Sequence, residues 1–253
     1  MMSVLLYEKK GRIAYITLNR PEKRNALNYE LLGELEKAWI DFRDDDDLWV
    51  AVLTGAGTTF CAGLDLKERA AQGSFLKPGD TLNPLCPGAL KVWKPIIVAV
   101  NGPAYAAGWL LAMECDLRIA SEYARFAITE VQVGLAAIGS AHLPRYIPTA
   151  IAMEMLLTGD PISAQRAYEI GFLNKVVSDE ELLPAATALA ERVCKNAPLA
   201  IRLTKEAAFR NIYPTDEEAT ASNTIMAASL ASEDIIEGMI AFSEKRPPVW
   251  KGK

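Results

Sequence analysis

KPIIVAVNGPAYAAGWLLAMECDLRIASEYARFAITE, residues Lys94 to Glu130, is the stretch from which the rest of the chain can be read. Pro95 to Met113 are nineteen residues without a charge, a length that raises the question of a membrane span. Asn101-Gly102-Pro103 in the middle argues against one, because Pro has no N–H and biases the residue before it away from helical angles. Ahead of that turn, Ile96-Ile97-Val98-Ala99-Val100 is a β-branched run, apolar on both faces, the pattern of a strand covered on both sides. Behind it, Ala104 to Asp116 is rich in Ala, Leu and Met and predicts a helix with Ala104, Ala106, Ala107 and Gly108 at its start. Two more short strands follow, and one carboxylate, Glu130, stands just past the last. A helix start leaves backbone N–H groups unpaired, so small side chains there let an anionic or carbonyl oxygen approach closely. The same small residues also suit tight packing of helix on sheet, and this stretch alone leaves both readings open.

The chain has 253 residues, 51% of them apolar and 23% charged, which predicts a globular protein able to bury a sizeable core, and the strand and helix patterns read along it make the expected class α/β. A net charge of -5 gives no electrostatic reason to expect nucleic acid or an anionic membrane as partner. Cys61, Cys86, Cys115 and Cys194 are widely spaced, without a C-x-x-C pair, and His142 is the one histidine. That composition argues against a zinc site and suits a reduced, cytoplasmic protein. The first twenty residues lack the positive-then-apolar order of a secretory signal.

Val4 to Tyr7 and Ile13 to Leu18 predict a hairpin around a basic turn, Lys9 to Arg12. In the polar loop that follows, Arg20, Lys23 and Arg24 cluster where a phosphate could be held, or form a solvated surface. Tyr29 to Phe42 has apolar residues at 31, 32, 35, 38, 39 and 42, a helical period. The acid run Asp44 to Asp47 lacks the spacing of a calcium loop and reads as a connector. Trp49 to Leu53 is a second buried strand, leading into Thr54-Gly55-Ala56-Gly57. A dinucleotide fingerprint fails there because Phe60 stands at the third glycine position and no helix opens at once. Phe60-Cys61-Ala62-Gly63 then enters a short helix over Asp65 to Ala71, so the chain has two small-residue junctions, at Ala62-Gly63 and Ala107-Gly108. Each could aim one N–H at a single oxygen.

Gln72 to Trp93 shows no periodicity and is long for a loop, which suggests a substrate cover or a mobile segment. His142 could act as a base, but no nucleophile elbow accompanies it. Leu143 to Leu157 reads as helix interrupted at Pro148. Ser163 caps a short helix ending at Gly171, and Leu173 to Val177 is the last strand. Everything past Asp179 is helical in pattern, broken at Asn196-Ala197-Pro198, Tyr213-Pro214 and Ser232. The division expected is a mixed core over 1–195 and a helical region over 196–253 that packs on a neighbour.

Taken together, Arg20 to Asn28, Leu53 to Gly57, Phe60 to Leu66, Lys94-Pro95 with Asn101 to Ala104, Cys115 to Ala120, Ala124 to Phe126 with Glu130, Leu156 to Gly159 with Ile162 to Ala164, and Ala241 to Arg246 resemble the crotonase superfamily, the enoyl-CoA hydratase/isomerase family. They run in the right order over nearly the full length. The resemblance implies a crotonase-like spiral of ββα units, a C-terminal helical region that forms a homotrimer or a dimer of trimers, and an acyl-CoA thioester as substrate, with no separate cofactor and no metal. It implies an oxyanion hole made by the N–H groups of Ala62 and Ala107, with Glu130 as the acid/base. It further implies substrate contacts from Arg24, Ala26, Ala62, Gly63, Leu64, Asp65, Leu66 and Leu110, and a CoA phosphate contact from Lys245 of a neighbouring subunit.

The sequence departs from the family pattern where the chemistry is decided. Hydratases of the family usually carry a second glutamate one helical turn past the second oxyanion donor, and here that position is Leu110, which cannot move a proton. Glu114 lies one turn further along, displaced by about 5.4 Å. Ala106-Ala107-Gly108 replaces a run of glycines, and Trp109 adds bulk. One carboxylate suffices for double-bond isomerisation, the slightly preferred reaction on chemical grounds, and also for a hydratase in which one glutamate handles both protons. A catalytically impaired acyl-CoA-binding protein and an RNA-binding member of the same fold are the alternatives from other classes.

Overall fold

The computed structural model describes residues 3–71, 90–212 and 233–249. The expected substrate cover therefore lies outside the described residues up to position 89, as do the breaks expected at Tyr213-Pro214 and Ser232.

β1 (Leu5–Lys10) and β2 (Ile13–Leu18) form the antiparallel hairpin, with the turn confined to Gly11-Arg12 because Lys9 and Lys10 still pair with Ala14 and Ile13. β3 (Val50–Gly55), β4 (Ile96–Val100), β6 (Leu117–Ser121) and β9 (Lys175–Val177) continue the sheet in parallel, giving the order β1-β2-β3-β4-β6-β9. Period-2 alternation divides the sheet's side chains between two apolar clusters. Ile97 and Ala99 of β4, with Val50 and Val52, face α6 (Asp179–Cys194) through Leu182, Ala186 and Ala190. Ile96, Val98 and Val100 belong to the larger core with α1 (Tyr29–Asp44). β4 is thus buried on both faces, as its uninterrupted apolar sequence predicts.

In α1 the six apolar positions of the helical period are the six that are buried. Asn28 caps its start by accepting from Leu31 N at 3.0 Å. At its other end the buried Lys94 ammonium donates to the carbonyls of Phe42 (2.9 Å) and Asp45 (2.6 Å). The acid run beyond α1 is a connector: Asp45 pairs with Lys9 at 2.9 Å and Asp47 with Arg12 at 2.6 Å. Among the described residues no helix is long and apolar enough to cross a membrane, and no three acidic, Cys or His side chains form a cluster that could hold a metal.

The helix expected from Ala104 begins later. Ala104–Tyr105 is a short strand, β5, paired in parallel with β7 (Arg125–Ala127), which β8 (Ile162–Ser163) joins from the other side. Only Ala107–Met113 is helical, as α3. The break is Ala106, whose φ of 50° and ψ of -121° turn the chain out of the strand while its N–H stays bonded to Ala127 O at 2.9 Å. That is glycine territory, and an alanine there stores strain. Helix propensity summed over 104–116 could not see it, because pairing with β7 decides the conformation of the first residues.

Ser163 caps α5 (Ala164–Glu169), accepting from Arg166 N at 3.1 Å, after α4 (Thr149–Thr158). α7 (Pro198–Ile212) is tied to the core through Lys205, which pairs with Asp116 at 2.7 Å and donates to Lys94 O at 3.0 Å. The C-terminal helix Glu233–Glu244 lies on the 3₁₀ turn Thr129–Val133 of the same chain. Gly238 makes the approach possible, since a Cβ there would sit 2.0 Å from Val133 O. Ala106→Gly should relieve the strained turn and, after the entropy glycine gains in the unfolded chain, net about 1 kcal/mol of stability. Calorimetry should then show Tm higher by about 2–4 °C.

Candidate active site

Three short extended segments are stitched side by side. Cys61 N–H donates to Pro103 O (3.1 Å) and Cys61 O accepts from Tyr105 N–H (2.9 Å). On the other side Ala62 N–H donates to Arg24 O (3.0 Å), Gly63 O accepts from Leu27 N–H (2.8 Å), and Asp65 N–H donates to Leu27 O (3.0 Å). Glycine lets the junctions touch: a Cβ on Gly108 would lie 2.2 Å from Cys61 O, and one on Gly63 would lie 3.1 Å from both Tyr105 O and the Ala106 Cβ. The loop from Arg20 is held rigid by the fully buried Asn25, whose amide accepts from Arg20 N (2.9 Å) and donates to Ala56 O (2.9 Å) and Thr59 O (2.7 Å).

This seam floors a cavity of about 910 Å³. Of the site residues expected from sequence, Arg24, Ala26, Ala62, Leu64, Asp65, Leu66, Ala107, Leu110 and Glu130 all line it. Gly63 lies in the seam beneath it, at φ 99°. Lys245 does not line it: at φ 55° it occupies the left-handed position just after the C-terminal helix, where the chain reverses so that Arg246 can fork onto Glu237 at 2.6 and 3.0 Å.

One expected donor needs correcting. Ala62 N–H is taken by Arg24 O and is not available to a ligand. Both Ala62 N–H and Gly63 C=O bond to the 24–27 loop, whereas a regular strand would send them to opposite sides; the positive φ of Gly63 reverses the alternation. Leu64, bridged in parallel with Leu27 through its two neighbours, therefore turns its own N–H away from that loop. Neither Leu64 N–H nor Ala107 N–H has an acceptor among the described residues, and both residues line the cavity. Sequence alone could not show the phase reversal, because it depends on which neighbour claims Ala62.

Glu130 sits in the 3₁₀ turn, its main-chain oxygen accepting from Leu135 N at 3.0 Å. Its Oε2 is buried with no hydrogen-bond partner among the described residues. Burial pushes the carboxyl up to about 7, only partly offset by a bond from its own backbone N–H. Glu114, the other candidate carboxylate, is outside the cavity lining. It is buried at the end of α3, with Oε1 at 3.1 Å from His142 Nε2, and burial raises its pKa while His142 opposes the shift. His142 is thereby engaged behind α3, not in the cavity.

In the basic cluster, Arg20 is structural: it donates to Ala26 O and pairs with Asp65 at 3.2 Å. Lys23 and Arg24 are exposed at the cavity, joined there by Lys67 of α2 (Leu66–Ala71). Sequence reasoning missed Lys67, Tyr105, Val133, Leu135, Ile138 and Phe242 as lining residues. The Leu135 and Ile138 pair had a signal, as isolated large apolar side chains in a Gly- and Ala-rich stretch.

Residues 8–253 match the family model described as Enoyl-CoA hydratase/isomerase. The chain is 41% identical over 254 residues to (E)-benzylidenesuccinyl-CoA hydratase of Thauera aromatica, covering 97% of this chain and 98% of that protein. It is 38% identical over 272 residues to carnitinyl-CoA dehydratase of Escherichia coli, covering all of both. The crystal structure of carnitinyl-CoA hydratase from Mycobacterium avium superposes over the full length of both chains with a TM-score of 0.90 at 36% identity. On these matches over nearly the whole chain, the chain belongs to the enoyl-CoA hydratase/isomerase family, in the crotonase fold.

Proposed function

We propose that this enzyme adds water reversibly across the α,β double bond of an enoyl-CoA thioester, with Glu130 as the sole acid/base and the N–H groups of Leu64 and Ala107 on the thioester oxygen. The observation that carries the reading is the Glu130 carboxyl, its Oε2 buried with no hydrogen-bond partner among the described residues, in the same cavity as those two donors. Ionised Glu130 takes a proton from water as its oxygen bonds to the β-carbon, and the electron pair of the double bond moves onto the thioester oxygen. There the two N–H groups hold the enolate, each such donor being worth ~2.7–4 kcal/mol in acyl-transfer enzymes. Protonated Glu130 then delivers its proton to the α-carbon, and the carboxylate is regenerated. Lys23, Arg24 and Lys67, set among Glu22, Asp65 and Glu68, are the lining cations that suit CoA phosphates.

The relatives named hydratases and dehydratases favour water addition. Leu110 favours the second reading, isomerisation, in which Glu130 removes a proton at one carbon of the chain and returns it at another. Parallel assays of 2-enoyl-CoA and 3-enoyl-CoA esters, following hydration and double-bond migration, separate the two. The reading also includes a homotrimer or dimer of trimers, supported by the exposed Leu199 and Leu203 on α7.

Glu130→Gln should cut kcat by about 10²–10⁴-fold; turnover at the wild-type rate would overturn the assignment. The same variant should be more stable at pH 8, on the order of 2–3 kcal/mol by denaturant titration, because it removes a carboxylate that is costly to ionise in the fold. The sign follows from a folded pKa of about 7 lying above the ordinary 4.5: between those values the folded chain keeps a proton that the unfolded chain releases, so Glu130 lowers stability as pH rises through that window. The pH profile of kcat/KM should show an acid limb with half-maximum near 7, falling tenfold per unit below it, since the free enzyme must carry Glu130 ionised.

A further inference from the structure

Ala107 and Glu130 belong to different pieces of chain, and a link behind the cavity joins those pieces. Ala107 opens α3, a buried helix of two turns, about 10 Å long. Glu114 closes it, its N–H bonded to Leu110 O at 3.1 Å. Glu130 sits in the 3₁₀ turn that runs straight into residues 134–142: Leu135 N–H donates to Glu130 O at 3.0 Å, and Gly134 N–H to Val131 O at 3.3 Å. From there the chain folds in close turns, Ile138 N–H to Ala136 O at 2.7 Å and Ser140 N–H to Ala137 O at 3.0 Å, before it reaches His142. His142 Nε2 lies 3.1 Å from Glu114 Oε1, the two side chains being 13% and 1% exposed. The far end of the Glu130 segment is thereby bonded to the far end of the Ala107 helix.

The bond stands in an adverse place. A carboxylate at a helix C-terminus meets the negative end of the helix dipole, and burial raises the Glu114 carboxyl while His142 opposes the shift. Its Oε2 is buried with no hydrogen-bond partner among the described residues. An apolar side chain could fill position 114 without these costs. Packing is not directional, however, whereas a hydrogen bond fixes both a distance and an angle. We infer that Glu114 and His142 are a positioning pair, whose hydrogen bond sets the Glu130 carboxyl against the Ala107 N–H so that proton transfer and enolate binding occur at the right separation. Neither side chain lines the cavity, so the pair acts through the two elements it joins. The inference rests on the proposed chemistry and adds to it two residues that the chemistry itself does not use.

The test uses the purified full-length enzyme and whichever of crotonyl-CoA, trans-2-hexenoyl-CoA and cinnamoyl-CoA it hydrates fastest. Turnover is counted per binding site, the sites being titrated calorimetrically with hexanoyl-CoA, a saturated thioester that cannot take up water, so that unfolded chains drop out. His142→Ala removes the bond and should lower kcat by about tenfold to a hundredfold, with the Kd of hexanoyl-CoA within about twofold of wild type. Glu114→Gln keeps an acceptor for His142 without the charge and should hold kcat within about twofold. Glu114→Leu combined with His142→Leu should match the wild type in denaturant titration, since apolar packing replaces the pair, yet keep the low kcat. Wild-type kcat per site in His142→Ala or in the double variant would overturn the positioning role. A loss in Glu114→Gln as large as in His142→Ala would overturn the assignment to the hydrogen bond. If the double variant binds no hexanoyl-CoA, the contrast between His142→Ala and Glu114→Gln decides by the same criteria. A wild-type enzyme that binds hexanoyl-CoA and hydrates none of the three esters would overturn the hydratase reading and this inference with it.

Discussion

Everything functional in this molecule depends on the seam of backbone hydrogen bonds that clamps residues 61–65 between the 24–27 loop on one side and 103–105 on the other. No sheet of regular length could do this, because the two neighbours approach the middle segment along different stretches, Arg24 and Leu27 from one side, Pro103 and Tyr105 from the other. The middle segment must change its phase between them, and Gly63 at φ 99° is where it does. The consequence is one backbone N–H, that of Leu64, left over on the cavity side. Neither that N–H nor Ala107 N–H has an acceptor among the described residues, and both residues line the cavity.

Glu130 follows the same logic with the opposite sign of charge. A carboxyl whose Oε2 is buried without a partner among the described residues costs stability when ionised, and that burial raises its pKa to about 7. The turn that carries it is braced from behind by the C-terminal helix, whose Gly238 comes against the Val133 carbonyl. That helix also contributes Ile235 to a small apolar cluster with Leu135 and to packing around Leu64 and Leu66. The C-terminal region thus shapes the site of its own chain, a role beyond the neighbour contacts its helical sequence suggested.

Two ionisable groups that sequence inspection singles out turn out to be structural. Glu114 and His142 pair behind α3. The α3 C-terminus is satisfied by Arg118, which donates to Met113 O (3.1 Å) and Cys115 O (2.6 Å) and, through Nε, to Phe172 O (2.7 Å). Both arrangements fix the helix whose first residue is Ala107. Residue type alone cannot separate such groups from catalytic ones, since a buried carboxylate with a histidine neighbour fits either role until its distance from the cavity is known.

The sequence by itself determined the doubly buried β4, the amphipathic α1, the Ser163 cap and the placing of Glu130 just past β7, because these follow from local period and capping chemistry within a few residues. The ordered set of motifs carried the family, and most of the expected lining residues proved to surround one cavity. Tertiary structure decided what local pattern cannot encode: that Ala104-Tyr105 pairs as strand instead of helix, that Ala106 takes a strained turn, and that Ala62 spends its N–H on Arg24 while Leu64 turns its own away from that loop. Each of these is set by a partner distant in sequence competing for a backbone group. A backbone donor carries no mark in its side chain to say which neighbour will claim it.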